Sequence, residues 1–291
     1  PYGDLASDDC LKGGSGTTDT DYHSVEIFST LTPTLGHLDE LWYRLYCAIS
    51  RCNRALVSLD EYGESKLGAA TTKQRIAEVK FLRAHFYYKL FMVFNKIPWI
   101  DEEVYKNNLQ EKTRNDALTH EQLWDKIIGD FETAYNDLPE QPSDGGGRAN
   151  KVAAAAYLAK CYLQRAWGNG YEDSTGVNFI NKDYMQKVVD SKYGYLEDYG
   201  DIFLPEYDNS KESVFAVQAS DYADDHTTFG RGNWSNVLNG AWKMWSCGWD
   251  FQKPSQDFVN AFKTDNGLPE FDDYSKTNDH PVNGKPTAQK W

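Results

Sequence analysis

The 291-residue sequence predicts a mainly all-α fold, a tetratricopeptide-like scaffold of helical pairs carrying a loop-rich, irregular region with short strands. Three observations predict it. Apolar residues recur every three or four positions through long stretches, the period of helix faces packed on a core. Turn-forming residues separate those stretches at the spacing of helical hairpins. Beyond about residue 193 the period gives way to polar, glycine-rich chain with a strand-like run. The expected division is a helical scaffold over 38–192 and a loop-rich, ligand-facing region over 193–291, within one domain spanning 1–291. No repeat consensus recurs at a fixed period.

Residues 1–36, rich in Gly, Ser, Thr and Asp, read as surface loop with one short strand at Ser24–Phe28. The first helix follows, with Leu38, Leu41, Leu45, Ile49, Cys52, Leu56 and Leu59 on one face. A linker is expected at Gly63–Gly68. The stretch Arg75–Ile100 is the organising helix: Ile76, Val79, Leu82, Phe86, Leu90 and Val93 form one row. Tyr87, Phe91 and Phe94 form a second, so the helix needs cover on more than one side. Pro98 stops it by removing a donor and disfavouring helix at Ile97. Asp101–Asp116 reads as an extended excursion.

Thr119 and Gln122 have capping-box spacing and start a helix whose face is Leu123, Ile127, Phe131, Ala134 and Leu138, ended by Pro139. Asn150 caps the next, whose small residues Ala153–Ala156 and Ala159 admit a close neighbour, and Gly168 closes it. Asp183–Lys192 reads as a short helix, Val214–Gln218 as a strand, and Ser255–Phe262 as a return of helical period.

Lys and Arg number 30 against 44 Asp and Glu, a net charge of −14. A surface that acidic repels phosphate backbones and anionic headgroups, which argues against nucleic-acid and membrane-surface partners. The five cysteines match no zinc pattern and no disulfide scaffold. No apolar run approaches the ~18 residues of a membrane span, and Pro1–Gly14 lacks the basic and apolar regions of a signal peptide. The chain opens in loop-like sequence and stops at Trp291 without a closing element, which reads as part of a longer protein.

The organising helix contains Glu78-Val-Lys-Phe-Leu-Arg-Ala84, then Phe86, Tyr87 and Tyr88, then Asn95-Lys-Ile-Pro98. This resembles the "E-x-x-F-L-R-A-x-x-Y/F … G-x-x-P" signature of the SusD/RagB family of outer-membrane nutrient-binding lipoproteins. Trp42–Leu56, Gly147–Lys151 with VAAAAYLAKCYL, Glu212–Gln218, and Pro254–Phe262 with Asn266-Gly267 resemble four further family stretches in the same order. Five ordered matches are specific where one is weak. Asn95 replaces the family's glycine and Asn266 its aspartate, and both keep turn chemistry. The resemblance implies a surface lipoprotein of Bacteroidetes-type bacteria, held at the outer membrane by a lipid anchor absent from this chain. It implies capture of an oligosaccharide or polysaccharide and its delivery to a SusC-like TonB-dependent transporter. It implies no cofactor. RagB-like peptide uptake is the alternative within binding, and an all-helical glycoside hydrolase the alternative outside it.

Residues that could carry binding are aromatic, since aromatics make up 14% of the chain. Trp234, Trp242, Trp245 and Trp249 fall within sixteen residues, among Asn233, Asn236, Asn239 and Lys243. Sugar rings stack apolar CH faces on aromatics while their hydroxyls take amide and carboxylate partners, so this mixture suits a glycan. The spacing of Trp242, Trp245 and Trp249 also suits a helix face turned to a core, and both readings stand. The candidate glycan-binding residues are therefore Trp234, Asn236, Trp242 and Trp245, with Tyr22 and His23 from the early loop. Net −14 favours neutral over acidic glycans. Asp221, Asp224, Asp225 and His226 lack the alternation and glycine turn of a calcium loop, so they read as a solvated loop rather than a metal site. No catalytic motif is present, and Arg83 reads as structural, with Glu78 poorly placed to be its partner.

Overall fold

The computed structural model describes residues 3–14, 19–107, 113–142, 147–168, 182–218, 251–270, 272 and 274. In chain order these form β1 (Cys10–Gly13), α1 (Thr20–Glu26), α2 (Gly36–Leu67), α3 (Ala69–Phe94), α4 (Glu102–Asn107), α5 (His120–Asp137), α6 (Lys151–Gly168) and α7 (Lys182–Val189). Two 3-10 turns at Tyr199–Phe203 and Pro205–Tyr207 follow, then β2 (Phe251–Pro254), α8 (Gln256–Asn260), β3 (Thr264–Asp265) and β4 (Leu268–Pro269). The fold is mainly helical and tetratricopeptide-like, as the periodicity predicts. It divides into two compact units, Pro1–Leu41 with Ala219–Trp291, and Trp42–Gln218.

In the second unit α3 is the central element. It runs antiparallel to α2, with Trp42 against Phe94, Tyr46 against Tyr87, and Asn53 against Arg83. Its other side packs on α5, which packs on α6, and α6 on α7. Phe81, wholly buried, lies edge-on to Phe131, Tyr157 and Phe215 at 5.6, 5.6 and 5.2 Å between ring centres. The small residues Ala153–Ala155 of α6 allow this approach, and Tyr157 stacks on Phe131 at 4.8 Å.

The buried face of α3 is rotated from the predicted row. Leu82 and Val93 are 37% and 40% exposed, whereas Ala77, Phe81, Ala84, Tyr88 and Phe91 are buried, together with Glu78, Arg83 and His85. A row that takes in ionisable residues is invisible to an apolar count. Arg83 is structural, as expected, and its partners lie on other elements. Its Nε and Nη2 donate to Asp130 at 2.7 and 3.0 Å, and Nη1 donates to Asn53 at 2.9 Å and to Glu102. Burial opposes the Arg83 charge, but the hydrogen bonds and charges of Asp130 and Glu102 outweigh it and hold the guanidinium protonated. Glu78 instead pairs with Arg75 and Arg148. Around this hub, Tyr46 donates to Pro98 O, and both Asn53 and Tyr87 donate to Ile100 O, so the chain leaving α3 is pinned back onto the α2–α3 pair.

Helix ends follow the sequence closely. Thr119 and Gln122 form the reciprocal capping box. Asn150 Oδ1 accepts from the Ala153 amide at 2.9 Å. α3 stops at Asn95, which takes a positive φ of 61° before Pro98. The predicted linker does not form, because α2 continues through Gly63 to Leu67 and only Gly68, at φ 79°, breaks the pair. Gly63 is buried against α3, and a Cβ there would lie 2.4 Å from Thr72 Cγ2. Thr72 cannot turn away freely, since its hydroxyl donates to Gly68 O at 2.9 Å. Gly63→Ala is therefore expected to destabilise the chain, because overpacking costs about 1–3 kcal/mol against at most ~1 kcal/mol gained in helix propensity. Urea unfolding of Gly63→Ala in the parent and in a Thr72→Ser background checks this. A loss that Thr72→Ser does not relieve would refute the contact.

Four further expectations are corrected. Ser24–Phe28 is not a strand: its residues fall in α1 and just beyond, because only Val25 of its apolar set is buried, while Ile27 and Phe28 face solvent. Residues 10–13, read as loop, form β1, which pairs antiparallel with β2 in the register Cys10↔Pro254, Leu11↔Lys253, Gly13↔Phe251. The excursion after Asp101 contains α4, started by Asp101 Oδ1 accepting from the Val104 amide and by Glu102 and Glu103 at the positive helix end. Val214–Gln218 pairs with no described strand. It docks through Phe215 on Phe81 and through Asn150 Nδ2 donating to Val214 O at 2.8 Å, so one ring and one side-chain bond replace a ladder.

Candidate functional site

Tyr22 and His23 are adjacent on α1 and so project about 100° apart. Tyr22 is half-buried against a small core of Leu5, Cys10, Val25 and Leu35. One ring face stacks on His37 at 3.9 Å, with the planes 8° apart, and Phe251 meets it edge-on at 6.5 Å. Burial, with Asp19 and Glu40 nearby, pushes the Tyr22 hydroxyl pKa up, so it stays a donor. His23 is exposed, with Nδ1 3.2 Å from Glu26 Oε2. The two residues share an element without converging on one spot. Trp234, Asn236, Trp242 and Trp245 lie outside the described residues, as do Trp249 and the Asp221–His226 group. β2 begins two residues after Trp249, and its first residue is the Phe251 that lies against Tyr22.

The second unit holds two adjoining clefts that sequence reading missed. One, of about 310 Å³, is lined by Gln141, Pro142, Lys192, Tyr193, Asn209, Ser210, Lys211 and Ser213. The other, of about 270 Å³, includes Tyr135, Glu140, Lys151, Lys187, Asp190 and Lys192. Lys192 belongs to both, with Nζ 5.0 Å from the Tyr193 ring centre. Asn209 turns the chain at φ 57° and exchanges paired amide hydrogen bonds with Gln218, each 3.0 Å, which fixes the cleft wall. Next to this wall in sequence, Tyr195, Tyr199 and Phe203 are 86%, 74% and 70% exposed. Amides, hydroxyls, ammonium groups and open aromatic faces are binding chemistry. The sequence signal was Lys192-Tyr193 and Asn209-Ser210-Lys211, two short polar runs with no period to draw attention.

The two most buried thiols are poor nucleophiles. Burial pushes the Cys52 thiol up to about 11 and the Cys161 thiol also upward, away from the thiolate form. Among the described residues no three His, Cys, Asp or Glu side chains form a metal-binding group, and no helix is long and apolar enough to cross a membrane.

A family model for SusD-like proteins, described as starch-binding and associating with the outer membrane, matches residues 15–163. A SusD-like protein of Bacteroides ovatus is 26% identical over 211 residues, 70% of this chain and 38% of its own length. The starch-binding protein SusD of Bacteroides thetaiotaomicron is 26% identical over 212 residues, 72% of this chain and 35% of its own. Among solved structures, the surface glycan-binding protein A of Bacteroides thetaiotaomicron, in complex with laminarihexaose, aligns with a TM-score of 0.73 at 23% identity over 90% of this chain and 55% of that one. The chain thus spans under two-fifths of the curated relatives' lengths.

Proposed function

Because this chain belongs to the SusD-like family, described as starch-binding and associating with the outer membrane, we propose that it captures oligosaccharide at the cell surface. In this reading it hands the ligand to a SusC-like TonB-dependent transporter, breaks no bond and needs no cofactor. The observation that carries the reading is the family match over 15–163, which spans α1 to α5 and most of α6. The fold shared with a protein that holds laminarihexaose supports it. Ligand would be gripped by ring stacking and hydrogen bonds at Trp234, Asn236, Trp242 and Trp245, and at Tyr22 and His23 of α1. The single-domain organisation of 1–291 is part of the same proposal.

Calorimetric and tryptophan-fluorescence titration against polysaccharides and peptides tests this, with Trp242→Ala and Trp245→Ala beside the parent. The expected result is saccharide binding weakened at least about fivefold by one of these substitutions, since stacking on an aromatic ring is worth on the order of 1 kcal/mol or more. Binding of peptides alone would move the protein to peptide capture, and binding that neither substitution alters would remove these tryptophans from the site.

A further inference from the structure

We propose that the two clefts joined at Lys192 bind an acidic oligosaccharide, one bearing carboxylate or sulfate groups. The inference rests on the glycan-binding reading and names a ligand class and a place that reading does not. The chain carries net −14, yet among the described residues the 310 Å³ cleft is lined by Lys192 and Lys211 and by no carboxylate. The adjoining cleft adds Lys151 and Lys187 against Glu140 and Asp190. Asp190 Oδ1 accepts from a neutral donor, Gln186 Nε2, at 2.7 Å, so the two clefts together set four lysines against two carboxylates. None of the four lysines forms an ion pair with a described carboxylate, although acidic residues outnumber basic ones by 44 to 30 across the chain. Among the described residues, four lysines outside any ion pair face two carboxylates, Glu140 and Asp190, around the two clefts, a local reversal of charge in a chain with so many acids.

The remaining lining fits a sugar rather than a bare anion. Tyr193 and Tyr135 offer ring faces, each with a lysine above it, Lys192 at 5.0 Å and Lys151 at 5.6 Å. Gln141, Asn209, Ser210 and Ser213 present amides and hydroxyls able to both donate and accept, as ring hydroxyls require. α6 begins at Lys151, so its positive end lies at the same cleft and adds to the attraction for a negative group. Volumes of about 310 and 270 Å³ each suit roughly one or two rings, at the low end of small-molecule sites. The whole-chain charge favours neutral glycans, but charge acts through its local field, and a cleft concentrates that field.

The test is calorimetric titration of the full chain with four saccharides: a galacturonate hexamer, its carboxyl-reduced neutral twin, a sulfated dextran oligomer and unsulfated dextran. Polyaspartate is the peptide control. The galacturonate hexamer, the sulfated oligomer or both should bind at least tenfold tighter than the uncharged twin and weaken as ionic strength rises from about 0.02 to about 0.2 M. The two acidic arms distinguish carboxylate from sulfate. Lys192→Gln with Lys211→Gln should lose at least tenfold for the acidic ligand, while Lys66→Gln, on exposed α2, should not. Equal binding of acidic and neutral twins, or acidic binding that the double substitution leaves intact, overturns the inference and leaves glycan capture standing. Polyaspartate binding as tight as the saccharide overturns it in favour of an acidic peptide. If none of the four saccharides binds, the inference falls, and glycan capture is decided by the polysaccharide titration of the proposed function. The comparison of charged and neutral twins needs no variant, so a misfolded substitution would not rescue the idea.

Discussion

Arg83→Met is expected to destabilise the second unit by about 3–5 kcal/mol, the usual range for removing one partner of a buried ion pair. Arg83 and Asp130 are 3% and 5% exposed, and the methionine would leave Asp130 with Lys80 at 3.9 Å as its nearest described cation. Asn53 Oδ1 would lose its donor as well. Arg83→Lys should also destabilise, because one ammonium cannot span both Asp130 oxygens and still reach Asn53 and Glu102. The discriminating measurement is urea unfolding of Arg83→Met beside Arg83→Met with Asp130→Leu. Replacing both charges removes the stranded carboxylate, so the double variant should be more stable than the single one. A single-variant loss under about 1 kcal/mol would mean that Asp130 is better solvated than its burial indicates.

The Arg83 hub shows which part of the fold was legible. The capping box at Thr119, the Asn150 cap and the face of α5 could be read because each is local: a few residues at fixed spacing carry the whole signal. The face of α3 could not. Its buried rows include Glu78, Arg83 and His85, whose partners Arg148, Asp130 and Tyr157 lie 70, 47 and 72 positions away. Until those partners are known, a buried charge looks like a surface residue. β1 escaped notice for a related reason. Among the described residues its partner is β2, some 240 positions on, so nothing near Cys10 announces a strand. Val214–Gln218 failed the other way, because strand-like composition without a partner strand produces only a docked segment.

For the candidate site the divide runs between composition and placement. Tryptophans interleaved with asparagines suggest sugar chemistry by composition alone, with a core face as the other reading, whereas the clefts around Lys192 arise only when residues 135–142, 151–155, 187–193 and 209–213 come together. The half-burial of Tyr22 against His37 likewise depends on a contact fifteen positions away. Net charge is silent on placement for the same reason, since 44 acids and 30 bases do not say where lysines gather.

A pH-linked loss of stability is the second large effect expected, and it comes from His85. The ring is 9% exposed on α3, its Nδ1 lies 2.5 Å from the Tyr157 hydroxyl, and Lys89 and Lys160 are the charged groups that bear on it. Burial first, then those two ammonium charges, lower its pKa from 6.5 to about 4. A folded chain therefore keeps the ring neutral while the unfolded chain takes up a proton below 6.5. The unfolded state binds more protons between pH 6.5 and about 4, so stability is unaffected above that window, falls as pH drops through it, and levels off below. The gap corresponds to a loss on the order of 3 kcal/mol. Glu102 adds a separate loss at lower pH. Burial raises its pKa, but the Arg83 hydrogen bond and charge more than reverse that, leaving it below 4.5, so its contribution disappears only as pH falls beneath that value. His85→Gln keeps a neutral side chain that can hydrogen-bond near Tyr157 and removes the titration. Urea unfolding of parent and variant at pH 7.5, 5.5 and 4.5 should show the parent losing stability faster, with the steeper slope confined to the window above pH 4. Parallel curves would mean that His85 takes up its proton in the folded chain as easily as in the unfolded one, and the buried His85–Tyr157 contact would then have to open to water.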